Sequence, residues 1–388
     1  MVKFKDAVKA YDYLLMISVI IIGAFGVLMV YSFAHAPSMP SRLFDMFGGM
    51  WVRQMMYIIS GAVLMIAVSF IDYHYITRLY LFIYALMMTL LVAAMLTGID
   101  EGTNVARWIR IPIPGIGDVS MQPSEFAKLF MILFLAKFLD VKNDRFNNIF
   151  WLGLVMVLIV VPVYLVNQQP SLSASLVVLF LSLTILFVAG LYYRTILIAL
   201  GLVAPVIILI WLDVQRAEPI FLTRVLNPFQ WDRIETWLNP VLGTDSFRQT
   251  QQSLNAISSG GLTGRGFLNN SYVANGHNDF IFSLVAEQFG FIGAAILLAA
   301  IAFVIIRCIL IALRAQDMQG RLIAAGVAGM LIFETFVHVS VTTDFLPNTG
   351  MPFPFLSFGG SMIWVHMIAI GVVLNVGLPR TKSIFDEE

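Results

Sequence analysis

Charged side chains are scarce in this sequence of 388 residues. Asp, Glu, Lys and Arg make up 12% of it, against 59% hydrophobic residues, whereas a water-soluble domain carries about a quarter charged residues. So few charges cannot cover a soluble surface, and the composition therefore predicts a polytopic membrane protein. The 23 basic and 23 acidic residues give a net charge of zero, which argues against a nucleic-acid partner.

Cysteine, histidine and nucleotide-binding motifs are equally sparse. The one cysteine, Cys308, lies in an apolar run, which excludes an internal disulfide and suggests no redox chemistry. Five histidines leave little from which to build a metal cage. No Gly-x-Ser-x-Gly nucleophile motif or phosphate-binding loop occurs. The glycine-rich GGLTGRG at 260–266 does not follow a predicted strand, so it is weak evidence for a nucleotide-binding site.

Long apolar runs, in contrast, are abundant. A helix needs about 20 apolar residues to cross the hydrocarbon core, and on that basis ten spans are predicted: 13–34, 52–71, 77–98, 124–141, 149–168, 171–190, 193–213, 279–306, 321–343 and 361–378. The first run is longer than the roughly 7–15 residues of a signal-peptide core, so a retained anchor is predicted. We therefore expect an all-α polytopic membrane protein of about ten transmembrane helices, forming one domain over 1–388.

Basic residues are distributed unevenly between alternate loops. One set of loops and termini holds Lys3, Lys5, Lys9, Arg78, Lys137, Lys142, Arg145, Arg194, Arg307, Arg314, Arg321, Arg380 and Lys382, and the opposite short loops hold Arg42, Arg53, Arg107 and Arg110. The positive-inside rule then places both termini in the cytoplasm. The long segment 214–278 lies outside, and its aromatic residues predict a folded lid or short helices on the membrane surface.

Two acids at the start of the eighth predicted span are candidate functional groups. Asp279 begins the span at its outer boundary, where an Asp is also an ordinary helix N-cap. Glu287 lies two turns deeper, where a charge near the membrane centre costs about 2.5–3.5 kcal/mol. Glu287 is therefore either a functional group or half of a buried structural pair.

Two pairs of polar side chains and one irregular segment also lie within or next to the predicted spans. Glu125 and Lys128, spaced i, i+3, can pair on one helix face, and Lys128 is also a candidate cation for an anionic ligand. Glu334 and His338, spaced i, i+4, are predicted to hydrogen-bond to each other. The segment LPNTGMPFPFLSFGGS, 346–361, is irregular near the membrane, so it is predicted to re-enter the protein and line a cavity.

These motifs, in this order, resemble the SEDS (shape, elongation, division and sporulation) family over nearly the whole chain. The resemblance rests on YDYLLMISVIIIGAFGVLMVYS, RWIRI with MQPSEFAKL, RIETWLNP with QQSLNAISSGGLTGRG, HNDFIFSLVAEQFGFIG and NTGMPFPFLSFGGS. The sequence departs from the family's usual residues at Ser171, Asn278, Gln288 and His338. The sequences MVYS and NDFIF are closer to those of the division and sporulation branch, but they do not determine the subtype.

The resemblance implies a peptidoglycan glycosyltransferase of the bacterial cell membrane. Such an enzyme polymerises lipid II, a disaccharide-pentapeptide on undecaprenyl pyrophosphate, at the outer leaflet beside a class B penicillin-binding protein. The family's essential Asp falls on Asp279, as general base of an inverting transfer. The candidate substrate-binding residues are Arg107, Glu125, Lys128, Arg233, Arg265, His277 and Glu287. The resemblance implies no certain cofactor, and a divalent cation such as Mg²⁺ or Mn²⁺ is the one candidate.

Two other functions fit the same features. Ten spans with intramembrane acids also suit a transporter that flips lipid II across the membrane. A scaffold without chemistry, which recruits the penicillin-binding protein, is the third reading.

Overall fold

The computed structural model describes residues 11–37, 47–98, 108–113, 117–142, 148–169, 171–214, 228–240 and 245–379. Its helices are α1 (Tyr13–Ala34), α2 (Met50–Ser69), α3 (Tyr73–Arg78), α4 (Tyr80–Thr97), α5 (Pro123–Val141), α6 (Ile149–Gln168), α7 (Leu172–Val188), α8 (Tyr193–Val214), α9 (Pro228–Leu238), α10 (Asp245–Gly260), α11 (Ile281–Arg314), α12 (Met318–Thr342) and α13 (Gly360–Val376). Each of the ten predicted spans coincides with one of these helices. The predicted all-α polytopic architecture is therefore confirmed.

Six of these helices are long and apolar enough by themselves to cross a membrane: α1, α2, α4, α6, α11 and α12. Helices α7 and α13 are apolar but shorter. A multi-pass membrane protein follows, whereas the count of ten spans stays a prediction.

The connection between α4 and α5 contains two strands that the all-α prediction did not include. Strands β1 (Ile109–Ile113) and β2 (Gly117–Met121) pair antiparallel, with Ile109 opposite Met121. Alternating isoleucines in RIPI followed by a Gly-rich turn are a hairpin signal, and Pro112 is the residue that weakens it. β2 leads into α5, so the hairpin lies directly at the start of that helix.

Helix α5, which corresponds to the least apolar predicted span, lies in the interior of the bundle. It packs against α4, α7, α12 and α13, and all of its residues from Met131 to Ala136 are buried. Its Glu125 and Lys128 are buried as well. The charges that interrupt this span therefore face protein, not lipid, which is where charged residues in membrane helices are tolerated.

Polar contacts join helix ends that the loop alternation predicts to lie on the same side of the membrane. At one end Tyr11 donates to Ser69 at 2.9 Å, and Arg307 pairs with Asp12 at 2.5 Å. At the other end Ser32 donates to Gln288 at 2.8 Å. Segments predicted on the same side thus meet each other, while the side that faces the cytoplasm stays a prediction.

Helix α11 is not the continuous span that the sequence predicts, because its backbone breaks at Gly290 with φ 67° and ψ −166°. The loop 260–266 covers the break. The N–H groups of Arg265 and Gly266 donate to the carbonyls of Glu287 and Gln288 at 2.9 and 3.0 Å. In return, the N–H groups of Phe291 and Ile292 donate to the carbonyls of residues 261 and 262. The GGLTGRG motif is therefore a backbone clamp on a broken helix.

Candidate active site

The segment between α12 and α13 re-enters the protein, as predicted. Phe353, Phe355 and Leu356 are fully buried. Gln54 on α2 holds the segment by donating to the carbonyl of Ser357 at 3.0 Å. A Cβ atom on Gly26 of α1 would lie 2.6 Å from the carbonyl oxygen of Leu356, so the helix approaches as closely as only glycine permits. The segment is thereby fixed against α1 and α2.

Asp279 lies in the turn that precedes α11, and this turn is bonded to the re-entrant segment. Ser357 donates to the carbonyl of Asn278 at 2.7 Å, and the N–H of Phe358 donates to the carbonyl of His277 at 2.9 Å. The N-cap of α11 is Phe280, which makes no side-chain cap bond. Asp279 therefore lies one residue before the N-cap position of this helix.

The half-buried carboxylate of Asp279 faces the guanidinium of Arg233 across Gly350. A Cβ atom placed on Gly350 would lie 3.5 Å from Oδ2 of Asp279 and 3.4 Å from Nη1 of Arg233. Gly350 has φ 68°, a conformation that favours glycine. The absence of a side chain at this position therefore lets an acid and a base from different elements both approach the same point of the backbone.

Three helices fix the backbone beside Gly350. Arg233 on α9 donates to the carbonyl of Asn348 at 3.1 Å. Ser173 on α7 donates to the carbonyl of Thr349 at 3.0 Å, and the side chain of Asn348 donates to Gln249 on α10 at 3.2 Å. These contacts hold Arg233 at the site, so the long segment 214–278 supplies the cation that faces Asp279.

His277 lies among aromatic rings beside this turn. The ring centroids of Phe33, Phe47 and Phe358 lie 4.8, 5.4 and 6.0 Å from that of His277. Its Nδ1 is buried and has no hydrogen-bond partner among the described residues. Burial lowers the pKa of His277 to about 4, so the ring is neutral at neutral pH and adds no positive charge to the site.

The low pKa of His277 predicts how the stability of the protein depends on pH. Between about pH 6.5, the ordinary pKa of histidine, and pH 4, the unfolded chain binds a proton that the folded chain excludes, so stability falls as the pH falls. His277→Phe removes this group and should flatten the dependence in that window. Thermal unfolding of the detergent-solubilised protein from pH 8 to 4.5 measures it, and an equal slope in both proteins would contradict the assignment.

Lys128 is enclosed by two carboxylates, one of which the sequence predicted. Its Nζ lies 2.7 Å from Oε2 of Glu125 and 2.6 Å from Oε1 of Glu334, and its side chain is 1% exposed. The i, i+3 pair is confirmed. The partnership with Glu334, on α12, was not predicted. Lys128 is thus a buried, neutralised cation.

The predicted hydrogen bond between Glu334 and His338 is wrong. Glu334 contacts Lys128 and His366, whose Nε2 lies 2.5 Å from Glu334 Oε2. His338 instead donates from Nδ1 to the carbonyl of Met351 at 2.7 Å and faces the N–H of Phe282 at 3.4 Å. Residues four apart on a helix share a face, but each of these two side chains bonds to a group on a neighbouring element instead. Glu334 bonds to Lys128 and His366, and His338 bonds to the carbonyl of Met351.

Glu287 is fully buried and is bonded to the loop that precedes α11. It pairs with Arg265 at 3.1 Å and accepts from the N–H and hydroxyl of Ser271, the hydroxyl at 2.7 Å. It lies on the short helical piece before the break at Gly290. Of the two predicted alternatives, the contacts of Glu287 support half of a buried structural pair, and Arg265 is engaged in holding the loop. Arg107 lies outside the described residues.

Three residues of the site region were not singled out from the sequence: Gln54, Asn348 and His366. A histidine or glutamine inside an apolar span is itself a signal, because such residues face the bundle interior and find polar partners there. Asn348 gives no comparable signal in a Pro- and Gly-rich segment. The described residues contain no group of three or more His, Cys, Asp or Glu side chains that could hold a metal ion.

Comparison with known proteins gives consistent matches over almost the whole chain. A family model for cell cycle proteins, named for FtsW, RodA and SpoVE, matches residues 12–382. The probable peptidoglycan glycosyltransferase FtsW of Trichlorobacter lovleyi is 30% identical over 374 residues, which cover 94% of this chain and 93% of the relative. The peptidoglycan glycosyltransferase MrdB of Escherichia coli K12 is 34% identical over 350 residues, covering 87% and 88%.

Two solved structures share the fold. One chain belongs to a peptidoglycan synthase complex described as coordinating polymerization and crosslinking. It superposes with a TM-score of 0.75 at 27% identity and covers 95% of this chain and 97% of its own. The rod shape determining protein RodA of Thermus thermophilus superposes with a TM-score of 0.65 at 26% identity, covering 95% and 96%.

Proposed function

The chain belongs to the family of FtsW, RodA and SpoVE, and on that premise we infer that it is a peptidoglycan glycosyltransferase of a bacterial cell membrane. Relatives that cover most of the chain carry this activity in their names. The observation that carries the assignment of the site is the opposition of Asp279 and Arg233 across Gly350. It supplies a carboxylate and a cation at one end of a membrane bundle.

We propose lipid II as the substrate and the outer leaflet as the place of reaction. The loop alternation supports this proposal, because the positive-inside rule predicts cytoplasmic termini and an Asp279 end that faces outward. A lipid-linked sugar would then meet the site at the membrane boundary. The structural relative in a peptidoglycan synthase complex supports a class B penicillin-binding protein as the partner that crosslinks the strands.

In the proposed reaction Asp279 is the general base. Its carboxylate takes the proton of the acceptor hydroxyl as that oxygen bonds to the anomeric carbon of the donor. The bond between the anomeric carbon and the diphosphate breaks, and its electron pair leaves with undecaprenyl pyrophosphate. A single displacement inverts the configuration, so no second carboxylate is required as nucleophile.

Cations are required to meet the negative charge that develops on the leaving diphosphate. Arg233 is the best-placed candidate because its guanidinium already faces Asp279. Lys128, with Glu125 beside it near the start of α5, remains a proposed contribution to this positive charge. Roles in binding substrate for Arg107, Arg265, His277 and Glu287 stay predictions, and the contacts of Arg265 and Glu287 favour a role in shaping the loop.

A divalent cation stays a prediction without an assigned step. Mg²⁺ is commonly held by one or two carboxylates together with substrate phosphates. Around Asp279 the described residues provide no cluster of further ligands that would hold such an ion without substrate. We therefore assign no part of the reaction to it.

The proposed function is tested by the product that the purified protein makes. Supplied with lipid II in detergent or vesicles, it should form glycan strands that a muramidase degrades. A flippase would instead move labelled lipid II across a vesicle bilayer without forming strands. A scaffold would do neither, and strand formation that appeared only with an active polymerase added in trans would also contradict the proposal.

A further inference from the structure

The hydrogen bonds of His366 fix the position of one proton in the buried cluster around Lys128. His366 lies on α13 and is 1% exposed. Its Nδ1 is 2.7 Å from the carbonyl oxygen of Met362, and its Nε2 is 2.5 Å from Oε2 of Glu334. Each ring nitrogen therefore faces an oxygen atom.

These two contacts cannot both be made by a neutral imidazole and an ionised carboxylate. A carbonyl oxygen only accepts hydrogen bonds, so Nδ1 carries a hydrogen. In the neutral ring Nε2 then has a lone pair, which would face the lone pairs of Glu334 and repel them. The contact requires one additional proton, shared between His366 and Glu334.

That proton also balances the charge of the cluster. Lys128 contributes one positive charge, and Glu125 and Glu334 contribute two negative charges. The three groups alone would leave one uncompensated negative charge in the interior, which is costly. Within the described residues these four groups form salt bridges only with one another. The proton on the His366–Glu334 pair makes the whole cluster neutral.

We propose that His366 is a positioning residue that acts through Glu334 on Lys128 and keeps this cluster from repelling a diphosphate-bearing substrate. The inference rests on the proposed function, in which the diphosphate of lipid II binds near this end of the bundle. Lys128 bonds to Glu125 and Glu334 and is 1% exposed, so the cluster acts on the diphosphate through its net charge. His366 thus cancels the surplus negative charge that the two carboxylates would otherwise leave around Lys128.

Replacing His366 by Gln tests the positive charge of the His366–Glu334 pair separately from the hydrogen bond to Glu334. The Gln amide can still donate to Glu334, but it cannot carry the proton, so the cluster becomes negative. At an effective dielectric constant of about 20, one unit charge about 10 Å from an anionic group changes binding roughly tenfold. We expect the KM for lipid II to rise about tenfold or more in His366→Gln, with a smaller change in kcat.

A second substitution should repair the first. Glu334→Gln removes the surplus negative charge, so the double variant His366→Gln/Glu334→Gln has only Lys128 and Glu125 charged and is neutral again. Its KM should return to within about threefold of the wild-type value. A loss caused by damaged packing would instead deepen with the second substitution. The matched packing control is Val365→Ala on the same helix, a fully buried residue that bears no charge, which should not raise KM tenfold.

The outcomes separate the inference from the function on which it rests. Wild-type protein that makes no glycan strands would defeat the proposed function. Active wild-type protein with an unchanged KM in His366→Gln, or a double variant no better than the single one, would overturn the role of His366 alone. Where His366→Gln does not fold, recovery of monodisperse protein by adding Glu334→Gln is the supporting result, and equal loss in both variants overturns the proposal.

Discussion

Asp279→Asn is expected to lower the rate of glycan polymerisation by about 10²–10⁴-fold, the usual contribution of a general base. The substitution keeps the size of the side chain and its ability to face Arg233, but the amide cannot accept the proton of the acceptor hydroxyl. The fold should be preserved, because the turn that carries Asp279 is held through its backbone carbonyls, which accept from the hydroxyl of Ser357 and the N–H of Phe358. Strand formation from lipid II, followed by gel electrophoresis of the products, measures the loss.

The matched control is Asp344→Asn. Asp344 is another acid at the same end of the bundle, in the turn after α12, and it lines a cavity of about 170 Å³ that also borders Arg233. If negative charge near Arg233 were all that mattered, the two variants would behave alike. We expect only Asp279→Asn to lower the rate by about 10²–10⁴-fold, and strands made at the wild-type rate by that variant would exclude Asp279 as the general base.

Gly264→Ala is expected to be the most disruptive single-methyl change in the outer loop. A Cβ atom at this position would lie 2.1 Å from the carbonyl oxygen of Gln288, and the residue has φ 84°. Left-handed backbone strain costs on the order of 1–3 kcal/mol, and forced overpacking adds about 1–3 kcal/mol. The clamp over the break at Gly290 should open, which would release Arg265 from Glu287. Thermal unfolding and limited proteolysis of the loop measure this.

Gly266→Ala separates the close contact from the backbone strain. Gly266 belongs to the same clamp and has φ 95°, but a Cβ atom there would meet nothing within 4 Å. This variant therefore carries only the strain, and it should unfold at a temperature between those of the wild type and Gly264→Ala. Equal destabilisation by both substitutions would show that the approach of Gly264 to the broken helix is not what secures the loop.

Much of the architecture could be predicted because it depends on local properties of the chain. Every apolar run of sufficient length became a helix, since a segment in lipid must satisfy its own backbone hydrogen bonds. The pairing of Glu125 with Lys128 followed from their spacing, and the re-entry of 346–361 followed from its Pro and Gly content. The hairpin 109–121 was not predicted, because Pro112 interrupts the alternating isoleucines that would otherwise signal a strand.

The sequence by itself determined the helical membrane fold, the grouping of loop ends and the motif that contains Asp279. Only the tertiary structure decided that Asp279 faces Arg233, that Glu334 bonds to Lys128 and His366 instead of His338, and that α11 breaks beside Glu287. The physical reason is the separation along the sequence of the residues that interact. Helix formation depends on neighbours within a turn or two, whereas these contacts join residues such as Lys128 and Glu334, 206 positions apart, and exist only once separate helices have packed.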